Sequence, residues 1–110
     1  MRVLFFGTPD FAVPTLAAIL GSAHEVVGVV TQPDRPRGRG RQVTPGPVAR
    51  LAAERGLPLV QPERLSEPGL RETLAGVGAD IGVVAAYGRI LPEWLLALPP
   101  RGMINVHASL

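Results

Sequence analysis

Residues 2–31, RVLFFGTPDFAVPTLAAILGSAHEVVGVVT, decide the fold. Residues 2–6 are a short apolar run closed by Gly7, and residues 25–31 (EVVGVVT) are a second run rich in valine. Both read as buried strands, since β-branched and aromatic side chains suit a pleated, covered surface. Between them Phe11, Ala12, Leu16, Ile19 and Leu20 recur at helical spacing, and Gly21 provides a stop. Pro9 and Pro14 are tolerated only near a first turn, which leaves the start of this helix open.

Beyond Thr31 the pattern continues after one interruption. Residues 33–46 are rich in Pro, Gly and Arg and read as an insertion rather than a linker. Residues 47–55 (PVARLAAER) follow as a helix, with proline in the first turn and Gly56 just past the end. Further along, 57–60 reads as a strand, 68–75 as a helix, 80–86 (DIGVVAA) as a buried strand, 92–98 (PEWLLAL) as a short helix and 102–107 (GMINVH) as a fifth strand. Strands alternating with helices imply an α/β fold: an open, mostly parallel sheet with helices on both faces.

Composition narrows the class. With 110 residues and 46% hydrophobic content, the chain can bury one core. No stretch approaches the roughly 18 apolar residues of a membrane span, and the first strand lacks the flanks of a signal peptide, so a soluble cytoplasmic enzyme is expected. The absence of cysteine excludes disulfides, cysteine metal sites and thiol nucleophiles within these residues. The net charge is +2, yet 33–46 alone sets Arg35, Arg37, Arg39 and Arg41 against Asp34. Such a segment can clamp phosphate, although no aromatic residues interleave to stack on bases, and a solvated charged loop accounts for composition as well.

Three other places can carry chemistry. Asn105 and His107 stand two apart at the carboxyl end of the fifth strand and should project to one face about 6–7 Å apart, where open parallel sheets place their sites. An imidazole exchanges a proton near neutral pH and a carboxamide donates to an oxyanion, which together suit acyl transfer to an amine. Taken alone, such a pair more often satisfies loop backbone. Gly7-Thr8-Pro9-Asp10 opens a helix after a strand, but Gly7 has no partner glycine before Gly21, so neither a P-loop nor a dinucleotide fingerprint is present. Thr8 and Asp10 are expected to be turn or helix-cap residues. In Tyr87-Gly88-Arg89, Gly88 permits close backbone approach and Tyr87 can border a pocket or simply be buried. Trp94, beside Leu95 and Leu98, is expected in the core.

Taken together, Phe6-Gly7-Thr8-Pro9-Asp10-Phe11, Thr31-Gln32-Pro33-Asp34-Arg35-Pro36 with Gly38-Arg39-Gly40, Ala86-Tyr87-Gly88 with Ile90-Leu91-Pro92, and Asn105-Val106-His107-Ala108-Ser109-Leu110 resemble the methionyl-tRNA formyltransferases along the whole chain. The resemblance implies a Rossmann-like domain that moves the formyl group of 10-formyltetrahydrofolate onto methionyl initiator tRNA, without a metal, a membrane or DNA. It implies Asn105 and His107 as catalytic, Ser109 and Leu110 as the start of a folate contact, and Tyr87, Gly88, Ile90 and Leu91 as the pterin-side wall. The loop 33–46 resembles the one that engages tRNA, with Arg39 best placed and Arg35, Arg37 and Arg41 beside it. The family's catalytic aspartate and carboxyl-terminal domain have no counterpart here, so residues 1–110 are expected to be a partial amino-terminal formyltransferase domain, inactive by itself. Two alternatives remain: a formyltransferase acting on an amino sugar nucleotide or other small amine, and a non-catalytic RNA-binding module.

Overall fold

The structure, a computed structural model, describes residues 1–37 and 42–106, with residues 35–37 and 42 as backbone only. In chain order the elements are β1 (Arg2–Gly7), α1 (Ala12–Leu20), β2 (Glu25–Val30), β3 (Arg35–Arg37), β4 (Gln42–Thr44), α2 (Pro47–Glu54), β5 (Leu59–Val60), α3 (Leu70–Gly76), β6 (Ile81–Ala85), α4 (Glu93–Leu96) and β7 (Met103–Val106). Five strands form one parallel sheet in the order β5-β2-β1-β6-β7. The expected α/β architecture is therefore present, and its order is Rossmann-like: the chain winds outward from β1 through β2 to β5, then returns to the other side of β1.

Alternation along β1 distributes the core. Val3 and Phe5 pack with Ala12, Leu16, Val48 and Ala52 under α1 and α2, whereas Leu4 and Phe6 pack with Leu70, Leu74 and Leu95 under α3 and α4. Successive strand side chains point to opposite faces, so a run that is apolar at every position must be covered on both. In β2 the period is broken, since Val3 pairs with Val26 but Leu4 with Gly28. This bulge lets Val26 and Val29, three apart, share one face. Gly28 leaves room for Leu4, whose Cδ1 would lie 3.1 Å from a Cβ there.

Several boundaries differ from the sequence reading for local reasons. The strand expected over 57–60 shrinks to Leu59–Val60, because the Leu57 N–H closes the end of α2 on the Ala52 carbonyl at 2.9 Å. The helix expected over 92–98 keeps only Glu93–Leu96, and Pro99 and Pro100 forbid continuation. The insertion is not wholly irregular. Arg35 pairs with Thr44, Pro36 with Val43 and Arg37 with Gln42, an antiparallel hairpin that composition concealed. At the amino-terminal end of the central strands, Asp80 accepts the Arg2 N–H on Oδ2 at 2.8 Å and fixes β6 against β1.

Candidate functional site

The winding order reverses between β1 and β6, and in such sheets the crevice beyond the strands' carboxyl ends at that reversal is where ligands bind. Residues following β1, β2, β5 and β6 meet there in a hydrogen-bond network. The Thr8 hydroxyl donates to the Tyr87 carbonyl at 3.3 Å and accepts the Gln32 N–H at 3.1 Å. Gln32 Nε2 donates to the same carbonyl at 2.9 Å. Gln61 Nε2 donates to the Gln32 carbonyl at 3.3 Å and to Asp34 Oδ1 at 2.8 Å. Thr8 is thus no helix cap: Phe11 occupies that position in α1 with no side-chain bond, while the Asp10 carbonyl serves the turn by accepting the Val13 N–H at 3.1 Å.

Beyond β6 the backbone turns sharply. Ala86 has φ 56° and Gly88 φ 93°, both left-handed. For alanine this costs about 1–2 kcal/mol, which the surrounding hydrogen bonds must offset. At Gly88 a Cβ would overlap the Gln32 carboxamide, so the glycine serves a close approach as well as a backbone angle. The turn walls one cleft and leads through Arg89 into a second beside it. The first, of about 490 Å³, is lined by Phe11, Val84, Ala86, Tyr87, Gly88, Arg89, Asn105 and Val106. The other, of about 470 Å³, is lined by Val84, Arg89, Ile90, Leu91, Leu96, Met103 and Asn105. Both volumes fall within the range of small-molecule sites.

Asn105 belongs to both clefts. It pairs with Val84, the one residue of β6 that is only half-buried, and its own side chain is exposed. Its carboxamide makes no hydrogen bond to another described residue, so the simpler role of satisfying loop backbone is not what it does among them. Of the other residues singled out from the sequence, Gly88, Ile90 and Leu91 line these clefts. His107, Ser109, Leu110, Arg39 and Arg41 lie outside the described residues, as do the side chains of Arg35 and Arg37.

Tyr87 touches the first cleft but is only 1% exposed. Its ring meets Phe6 edge-on, with centroids 5.8 Å apart at 80°, so it is chiefly a core residue and only marginally a wall. Its hydroxyl is buried without a hydrogen-bond partner among the described residues. Burial pushes the phenol's pKa above its ordinary value; the nearby Arg89 charge opposes that rise and Glu67 adds to it. Arg89 is engaged elsewhere, donating from Nη1 to the Pro62 carbonyl at 3.0 Å.

Trp94 departs from the expected core role. It packs against the α3 and α4 cluster but is only half-buried, with the Arg71 guanidinium 5.9 Å from its ring centroid. The residues that sequence reasoning passed over are Gln32, Gln61 and the hydroxyl role of Thr8. Their partners lie far along the chain, and only the quoted Thr31-Gln32-Pro33-Asp34 motif hinted at one of them. Among the described residues no group of three or more His, Asp or Glu could hold a metal ion, and no helix is long and apolar enough to cross a membrane.

Comparison with known proteins agrees with this geometry. The chain is 53% identical over 110 residues to a methionyl-tRNA formyltransferase of Chloroflexus aurantiacus and 56% identical to one of Chromohalobacter salexigens, in each case along its full length. It spans only 36% and 34% of those relatives, respectively. Among solved structures, a phosphoribosylglycinamide formyltransferase from Bacillus halodurans superposes with a TM-score of 0.71 at 19% identity, over all of this chain and 57% of that one. A glycinamide ribonucleotide transformylase from Symbiobacterium toebii gives 0.67 at 18%, covering 52% of that chain. At such identities the likeness concerns the fold alone. Residues 1–110 match the family described as Formyl transferase from end to end, and the chain belongs to the formyl transferase family.

Proposed function

We propose that residues 1–110 are the amino-terminal part of a methionyl-tRNA formyltransferase catalytic domain, which transfers the formyl group of 10-formyltetrahydrofolate to the amino group of methionyl initiator tRNA in the cytoplasm. The observation that carries this reading is the exposed Asn105 carboxamide at the junction of two clefts beyond β6 and β7. The activity named for relatives at 53% and 56% identity supports the choice of acceptor. The donor supplies an activated formyl carbon for attack by the acceptor amine.

The residues present suit such a donor. Ile90, Leu91, Leu96 and Met103 offer an apolar bed for a flat ring system, and Asn105 and Arg89 offer polar contacts at its edge. Asn105 would donate its amide hydrogens to the oxygen of the formyl group as that oxygen gains negative charge, an interaction stronger in the transition state than in the ground state. His107, two residues further along the chain, would take the proton released by the attacking nitrogen, and a proton would go to the folate nitrogen as its bond to the formyl carbon breaks and tetrahydrofolate leaves. Ser109 and Leu110 would continue the donor site. The hairpin would present Arg35, Arg37, Arg39 and Arg41 to phosphates of the tRNA.

The test uses a protein carrying these residues at the full length of its relatives. It is supplied with 10-formyltetrahydrofolate and, in parallel, with methionyl initiator tRNA and small-amine acceptors including an amino sugar nucleotide. Formylated methionyl-tRNA is the expected product. Transfer only to a small amine would replace the acceptor assignment, and folate-independent RNA binding without transfer would replace the enzyme by a binding module.

A further inference from the structure

Gln32 lines neither cleft, yet it grips the turn that walls the first of them and leads through Arg89 into the second. It follows β2 on the segment that leads into the hairpin. From there its Nε2 donates to the Tyr87 carbonyl at 2.9 Å, and its carboxamide fills the space that a Cβ on Gly88 would require. Thr8 reinforces this contact by bridging the Gln32 N–H and the same Tyr87 carbonyl. The turn being held is left-handed at Ala86 and at Gly88, a conformation that an alanine keeps only when its surroundings impose it. On its other side Gln32 is braced by Gln61, which also holds Asp34 at the root of β3.

We infer that Gln32 is a positioning residue for the donor pocket: its carboxamide holds the Tyr87-Gly88 turn in the conformation that shapes the cleft wall, so donor affinity depends on a side chain that does not line the pocket. The inference rests on the proposed reading of the clefts as the folate site. Asn105 is positioned separately, by the β6–β7 ladder through Val84. Losing the Gln32 contact therefore shifts the wall and leaves the oxyanion donor in place. The kinetic signature is a weaker donor interaction with an unchanged chemical step. General destabilisation would instead lower the active fraction, and so the apparent kcat, at constant KM.

The experiment measures donor KM, kcat and 10-formyltetrahydrofolate Kd in the full-length protein. Gln32→Met keeps the volume and removes the amide donor. It should raise donor KM and Kd by roughly three- to tenfold, with kcat within about twofold of the parent, as expected for one lost buried hydrogen bond. Thr8→Val removes the second donor to the Tyr87 carbonyl and should give a smaller rise of the same kind, readable also if Gln32→Met does not fold. Because both act on one carbonyl, the double variant should depart from the product of the single effects. Unchanged KM and Kd in the folded variants, or a fall in kcat at constant KM, would overturn the inference. A parent protein that transfers no formyl group would instead overturn the functional reading on which it rests.

Discussion

Asn105 is an exposed amide near the carboxyl end of β7, and Tyr87 is a buried phenol whose hydroxyl has no partner among the described residues. The two carry opposite expectations. Under the proposed role of Asn105 as donor to the formyl oxygen, Asn105→Ala should lower kcat by roughly 10²–10³-fold with smaller change in folate affinity. His107→Ala should cost about 10²-fold through lost proton transfer. Single-turnover rates decide the matter, and unchanged chemistry in both variants would return these residues to a structural role. For Tyr87, burial raises the folded-state pKa above the unfolded value of 10.0. A proton held more tightly by the folded state contributes stability that is complete below the unfolded pKa and is lost as pH rises through the folded one. Tyr87→Phe should therefore be neutral or slightly stabilising near pH 7, since it removes an unpaired buried hydroxyl, and increasingly stabilising relative to the parent above about pH 10. Urea unfolding across that alkaline range checks the sign; a variant that loses ground with rising pH would contradict it.

Between β1 and α1 the chain is packed with almost no clearance. A Cβ on Gly7 would lie 2.7 Å from the Ala12 Cβ and 2.8 Å from the Ala85 carbonyl oxygen. Because one of these neighbours is backbone in the adjacent strand, relief requires moving β6 or α1. Gly7→Ala should lower unfolding free energy by roughly 1–3 kcal/mol, read as a shifted urea midpoint at constant slope. Gly82 is tight for a different reason: a Cβ there would overlap the Met103 sulfur, which ends a flexible side chain and can move aside. The hairpin of β3 and β4 belongs to the same scale. Its two short strands pair Arg35 with Thr44 and Arg37 with Gln42. Arg39→Glu should reduce kcat/KM for aminoacyl-tRNA and flatten its dependence on salt, since fewer counterions are released, while folate binding stays nearly unchanged. Identical salt curves for variant and parent would leave the hairpin without a nucleic-acid role.

Across the whole molecule, order in the sheet sets the gradient of stability. β1 lies at the centre with Phe5 and Phe6 fully buried, whereas β7 is at an edge with Ile104 52% exposed. Native-state hydrogen exchange should be slowest in β1, intermediate in β2 and β6, and fastest in β5 and β7. Equal protection in β7 and β1 would contradict this order. Much of the architecture was legible beforehand, for a stated reason. The fully apolar runs at the start of the chain and in DIGVVAA demand cover on both faces, and helical spacing between them leaves the parallel α/β plan as the answer. The place of Asn105 near the carboxyl end of the fifth strand was legible too, from the run GMINVH. The hairpin was not, because prolines, glycines and arginines carry no strand periodicity and its pairing depends on backbone alone. Nor was the grip of Gln32 and Thr8 on Tyr87. Those bonds join residues 55 and 79 apart, and a contact at such separation imposes no pattern on either stretch. Local periodicity thus established the layers and the strand count of the main sheet. Which carbonyl is held by which amide, and which polar group is left exposed beside a cleft, emerged only when distant segments were brought together at the reversal between β1 and β6.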